Sequence, residues 1–361
     1  MNLFKKSFLF LSLSALFVSC SDESGKVDTA PLGAYENGAL ILNQGNFGQG
    51  NASISFLSND LSTFQNNIFA LVNPTVILGD TAQDIGFNND LAYVVLNVSN
   101  KIQIANRYTL QNVGTISTGL TNPRYITFAN GKAYVTCWGN ASNTADDYVA
   151  VINLTTNTVS STIPVVEGPE RILLNNGKLY VAQKGGYGYG NKITVIDANT
   201  NSVLNTITVG DVPESMRIIG TSLYVICSGN PSYIPASAGV QSAGKFVKVD
   251  LATNTVTSTL SFTTTEHPSN LDFYNNEIYY TLDEKIFKTT AAATALPTTP
   301  LFSTTPQGAY GIYSFEVENS KIYIGDAGNY SSNGKVYVYS LAGVLQNTRT
   351  VGVIPTGFYF N

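Results

Sequence analysis

Pro123-Arg124-Tyr125-Ile126-Thr127-Phe128-Ala129-Asn130-Gly131-Lys132-Ala133-Tyr134-Val135-Thr136-Cys137-Trp138-Gly139-Asn140 holds two alternating apolar runs separated by a turn. A side-chain period of two marks half-buried strands. The unit returns along the chain. A Pro is followed eleven residues later by Tyr-Val or a close variant at Pro123/Tyr134, Pro169/Tyr180, Pro213/Tyr224 and Pro268/Tyr279. Tyr93 and Tyr323 begin the same strand without the Pro, and Ala82 stands in the Pro position before Tyr93. Successive Tyr positions lie 41, 46, 44, 55 and 44 residues apart. A period of about 45 residues, with room for four short strands, is the mark of a β-propeller.

Two further elements share this period. The strand after each Tyr often exits through Gly-Asn: Tyr134 to Gly139-Asn140, Tyr224 to Gly229-Asn230 and Tyr323 to Gly328-Asn329, with Leu40 to Gly45-Asn46 in the same spacing. Gly-Asn permits the positive φ of a tight strand exit. A third strand and its turn also repeat, as Val151-Ile152-Asn153 before Asn157, Val195-Ile196-Asp197 before Asn201, and Val249-Asp250 before Asn254. Counting the Leu40 strand with Tyr93 to Tyr323 predicts seven blades. The first lacks its opening strand, and Pro355-Thr356-Gly357-Phe358-Tyr359-Phe360-Asn361 supplies it, with Phe358 and Phe360 in the places of Ile126 and Phe128. The expected fold is therefore an all-β, seven-bladed β-propeller of four-stranded blades over residues 36–361, closed by the C-terminal strand joining the first blade.

Composition narrows the function. Of 361 residues, 43% are hydrophobic and only 12% charged, with 21 Tyr and 18 Phe, a strand composition suited to an extracellular protein. Residues 1–19 read as a lipoprotein signal peptide: Lys5 and Lys6 precede an apolar run from Phe8 to Val18, too short to span a bilayer. Leu16-Phe17-Val18-Ser19-Cys20 resembles a lipobox, which makes Cys20 the expected lipidation site and residues 20–35 a flexible tether. The acidic Ser21-Asp22-Glu23-Ser24 resembles a surface-export tag, so the expected location is the outer membrane, facing the extracellular side. The formal net charge is −5; loss of residues 1–19 leaves 17 basic against 24 acidic residues, or −7. With no Lys/Arg cluster, nucleic acid is not an expected partner.

In a propeller the loops after the Tyr strands and the loops around the Pro share one rim. The longest, most aromatic loops belong to it: Lys184-Gly185-Gly186-Tyr187-Gly188-Tyr189-Gly190, Asn230-Pro231-Ser232-Tyr233, Asn140 to Asp147, and Asn329-Tyr330. The opposite rim carries short hairpins such as Asn175-Asn176-Gly177. A ligand is expected over the central channel on the long-loop face. Its candidate contacts are Phe47, Arg124, Trp138, Asn140, Arg171, Lys184, Tyr187, Tyr189, Asn230, Tyr233 and Tyr330. Arg124 and Arg171 either meet an anion, such as a phosphate, or bridge to Glu170, Glu214 or Asp84. Trp138 is either an exposed stacking surface or packing at a blade edge. Cys137 and Cys227 occupy matching places one whole blade apart, beyond the reach of a disulfide, and read as buried thiols.

No catalytic residue and no metal site is expected. The single His267 cannot build a histidine cluster, and Asp146-Asp147 and Asp283-Glu284 would point to opposite sides of a strand. No nucleophile elbow, phosphate-binding loop or dinucleotide fingerprint occurs.

The Tyr-Val, Val-Ile-Asp and Val209-Gly210-Asp211-Val212-Pro213 elements resemble the YncE-like, or YVTN-type, propellers, over about residues 36–361. The opening Leu42-Asn43-Gln44-Gly45-Asn46-Phe47-Gly48-Gln49-Gly50-Asn51-Ala52-Ser53-Ile54 resembles a surface-lipoprotein branch that captures cobalamin for a TonB-dependent transporter. That resemblance implies a non-enzymatic protein with a corrinoid as ligand rather than cofactor and an outer-membrane transporter as partner. A glycan- or protein-binding adhesion propeller and a lyase- or hydrolase-type propeller enzyme are the alternatives.

Overall fold

The computed structural model describes residues 31–140, 142–231 and 241–361. Cys20, the signal peptide, most of the tether and Tyr233 lie outside the described residues. Leu32–Asn361 form one unit. It contains seven antiparallel four-stranded sheets, as the repeat requires. Blade 3 is typical: strand A is Pro123–Ala129, B is Lys132–Cys137, C is Tyr148–Asn153 and D is Thr158–Pro164. In blade 1 the innermost strand is Pro355–Phe360, paired with Gly38–Asn43 in a register that sets Phe358 opposite Ile41. The C-terminal strand therefore closes the ring. A five-residue helix, Ile68–Val72, and a short 3-10 turn, Thr305–Gln307, are the only helical segments among the described residues.

Each repeated residue has a structural task. The Asx residue after strand C caps its turn: Asp197 Oδ1 accepts the backbone N–H groups of Asn199 (2.7 Å) and Thr200 (3.0 Å), and Asp250 and Asn153 act likewise. The Asn four residues on takes a left-handed φ, +58° at Asn201 and +55° at Asn254. The recurrent Tyr reaches into the next blade at that turn. Tyr134 donates its hydroxyl to Ala198 O (2.7 Å) and Asn201 Oδ1 (3.0 Å), and Tyr180 donates to Asn254 Oδ1 (3.1 Å). At these two interfaces Tyr and Asn are the two halves of one inter-blade bond, whereas Tyr224 donates to Ala291 O (3.1 Å).

Among the described residues, the buried apolar side chains form seven clusters, each spanning two adjacent blades. The seventh joins Ile41, Leu57 and Phe358 of blade 1 to Tyr323, Val336 and Val338 of blade 7, so the closing interface is packed like the others. Tyr323 there meets both Phe358 and Phe360, with ring centroids 5.7 and 5.0 Å apart. Cys137 and Cys227 are buried and unbridged, and burial pushes each thiol up to about 12.

Candidate functional site

Strand register determines what faces the channel. The A-strand residues Ile85, Ile126, Ile172, Met216, Leu271, Phe315 and Phe358 pair with equivalent positions of their B strands. The residue two places earlier in each A segment reaches the channel mouth. Those seven are Gln83, Arg124, Glu170, Glu214, Ser269, Tyr313 and Thr356, one from each blade, and together they rim a cavity of about 410 Å3. Arg171, Ser215 and Asn270, one place further in, form its floor and continue into a second chamber of about 40 Å3 lined by Arg217 and Glu316. The long-loop face therefore opens into a polar channel.

Charge around this channel is mostly paired between blades. Arg124 makes a two-pronged bridge to Glu170, Nε to Oε2 at 2.8 Å and a terminal nitrogen to Oε1 at 2.6 Å. Burial alone would raise the Glu170 carboxyl, but the adjacent Arg124 guanidinium, with Lys184 and Arg171 beyond it, holds it below its ordinary value. Lys184 bridges to Glu214 at 2.9 Å. Arg217 spans Asp272 (2.9 Å) and Glu316 (3.0 Å). Burial nonetheless pushes Glu316 up to about 7, against the pull of Arg217. For Arg124 and Lys184 the salt bridge, rather than a free anion, is what the fold provides.

Arg171 differs. Its guanidinium stands over the Tyr125 ring at 4.6 Å. Among the described residues no carboxylate oxygen lies within 4.0 Å of it, and its buried Nε has no hydrogen-bond partner.

The aromatic candidates divide. Trp138 is packing at a blade edge: its Nε1 donates to Pro169 O at 3.0 Å, Arg124 covers its face at 4.3 Å, and Tyr187 meets it edge-on at 5.9 Å. Tyr187 is 67% exposed beside it, and Tyr189 is half-buried. Phe47 is 80% exposed on its loop, which is tied to blade 7 by a bond from Asn46 Nδ2 to Tyr330 O (3.2 Å). Asn140 is exposed, whereas Asn230 is fully buried with its backbone paired to Ser242. Of the sequence candidates among the described residues, Arg124, Arg171, Lys184 and Tyr330 line the cavity; Phe47, Trp138, Asn140, Tyr187, Tyr189 and Asn230 do not.

Sequence reasoning missed Tyr310 and Tyr313. Tyr310 is 71% exposed, and both set edges against Tyr330, at 6.3 and 5.8 Å, making an aromatic wall on the blade 7 side. Tyr313 also donates its hydroxyl to Gln44 Oε1 at 2.9 Å, and burial pushes that hydroxyl up to about 12. The Pro that marks five of the blades is missing just before Tyr313, which hid it. His267 holds Nδ1 at 2.8 Å from Ser228 O and does not line the cavity. Among the described residues no cluster of three metal-ligating side chains occurs, and no helix is long and apolar enough to cross a membrane.

Seven four-stranded sheets around a polar channel make this a seven-bladed β-propeller. Residues 37–351 match the family described as "Domain of unknown function (DUF5074)", and the chain belongs to that family. No curated protein matches it. Solved structures show the same architecture at low identity. A Quinonprotein alcohol dehydrogenase-like protein from Bacteroides thetaiotaomicron aligns with a TM-score of 0.63 at 14% identity, covering 90% of this chain and 78% of that one. Hydrazine synthase of Kuenenia stuttgartiensis gives 0.55 at 16%, covering 76% and 87%. BamB from Moraxella catarrhalis gives 0.51 at 12%, covering 89% and 85%. Likeness at this level concerns the fold alone.

Proposed function

We propose that the chain is a non-enzymatic capture protein, lipid-anchored through Cys20 to the outer membrane and facing the extracellular side. It takes a ligand into the mouth cavity and passes it to a TonB-dependent outer-membrane transporter. The observation that carries this reading is the cavity itself. One side chain from every blade meets there, and the walls mix amides, hydroxyls and mostly salt-bridged charges with Tyr313 and Tyr330, beside which Tyr310 stands exposed. Such a surface recognises a polar molecule by many hydrogen bonds and one flat contact. A corrinoid, the ligand suggested by the resemblance of Leu42–Ile54, fits that chemistry. It offers several amides to Gln83, Asn270 and the serines, a broad ring system to Tyr310 and Tyr330, and a single phosphate. The cavity would take one end of so large a molecule, the rest lying over the exposed tyrosines and Phe47. The exposed tyrosines favour a glycan as the second reading, since sugar rings also lie on aromatic faces.

Calorimetric titration of the full chain with cyanocobalamin tests the proposal. The expected result is one-to-one binding that weakens about tenfold in Tyr310→Ala, the loss of one aromatic contact. A flat titration removes the corrinoid, and specific retention on a glycan array would then replace it.

A further inference from the structure

Arg124, Lys184 and Arg217 each end on a carboxylate within 3 Å or little more. Arg171 sits among them, at the junction of the two channel chambers, with none. A guanidinium carries five N–H donors in a fixed fork, and leaving them unmet in a sheltered place is costly. Tyr125 covers one face of the group, which holds its plane and keeps that side from water. The neighbouring floor positions, Ser215 and Asn270, are neutral. Asp84, Glu170 and Glu316 act on Arg171 only from beyond bonding distance, and each is already engaged, Asp84 by Tyr359 (2.9 Å) and the Ile126 N–H (2.9 Å), Glu170 by Arg124 (2.6 Å) and Glu316 by Arg217 (3.0 Å). The repeat offers no reason for an unpaired cation here, because the blades on either side pair theirs.

We propose that Arg171 is an anion slot at the floor of the mouth cavity, taking one monoanionic oxyacid group, a phosphodiester or a carboxylate, of the captured ligand. It deepens the capture function proposed above and rests on the same cavity. The paired guanidinium of Arg124 contributes little, since its acceptor is already Glu170. The slot therefore selects for one negative charge inserted end-on past the rim, and a dianion gains no second partner.

Saturation-transfer NMR on the methyl groups of dimethyl phosphate, with the full chain, reads this directly; acetate is the carboxylate probe. Wild type is expected to give a signal that falls about tenfold or more in Arg171→Gln, the loss of one charge-assisted pair. Arg171→Lys should retain part of it, and Arg349→Gln, whose guanidinium bonds Leu61 O away from the channel, should retain all. Should Arg171→Gln fail to fold, the Arg171→Lys comparison decides, because a bidentate site weakens on that change. Equal signals in wild type and Arg171→Lys and Arg171→Gln, or none in wild type, would overturn the slot and leave Arg171 as a counter-charge to Asp84, Glu170 and Glu316. A response to dimethyl phosphate alone assigns the phosphodiester, and to acetate alone the carboxylate. The two proposals fail separately. A flat cobalamin titration with an Arg171-dependent dimethyl phosphate signal removes the corrinoid and keeps the slot; tight cobalamin binding with no such dependence does the reverse.

Discussion

The two rims of this ring are built on opposite principles. On the short-hairpin rim one device recurs, the Tyr hydroxyl bonded to the next blade's turn, as at Tyr134 and Tyr180. On the long-loop rim the seven mouth positions carry six residue types, from Arg124 and Glu170 to Ser269, Tyr313 and Thr356. Geometry is shared by both rims, so the difference comes from what each must do. Where only stability is needed, one solution is repeated. Where the repeat is abandoned at positions that all face one cavity, recognition is the economical explanation.

Experiments can break this contrast from either side. The largest effect should come from ring closure. Phe358→Ala empties the packed seam against Tyr323 and should destabilise by roughly 3–5 kcal/mol in denaturant unfolding. Next, Arg124→Ala leaves the buried Glu170 carboxylate without its partner and should lose roughly 3 kcal/mol, while Arg124→Met with Glu170→Met recovers most of it. A single residue of the cavity mouth would then prove to carry stability as well. Tyr134→Phe removes the hydroxyl shared by Ala198 O and Asn201 Oδ1 and should cost about 1 kcal/mol with ligand binding unchanged.

The smallest effect concerns pH. Burial, with Asp146 and Glu167 nearby, pushes Asp147 from 3.8 to about 6. The native chain then holds a proton more tightly than the unfolded chain across that window, so stability falls as pH rises through it and stays lowered above about 6. Asp147→Asn removes that fall and should gain about 1 kcal/mol above pH 6, after allowance for solvent screening. Unfolding curves for both proteins at pH 4 and pH 7 would show it; a constant difference between them would contradict the assignment.

The fold was legible because its signals are periodic. Pro, Tyr and Asn repeat at fixed offsets, and the orphan strand ending in Phe358 and Phe360 could belong only to the blade that lacked one. The site was half legible for the same reason turned around. The residue directly after each repeat Pro is the mouth position, which would have gathered Arg124, Glu170, Glu214, Ser269 and Thr356 without a structure. Attention to long loops drew Trp138 and Asn230 instead, and both are engaged with the protein itself. Arg124 stands one place and Arg171 two places after its Pro, which separates rim from floor, but whether either arginine is paired depends on the neighbouring blade and cannot be read from that spacing.

The chain enters the propeller through Tyr35, whose N–H bonds Tyr108 O and whose carbonyl accepts from Asn361 Nδ2, at 2.9 and 2.7 Å. This lies at the start of the Gly38 strand, on the short-hairpin rim. The point of entry is therefore on the rim opposite the cavity mouth, so the chain's own start does not compete with a ligand for that mouth.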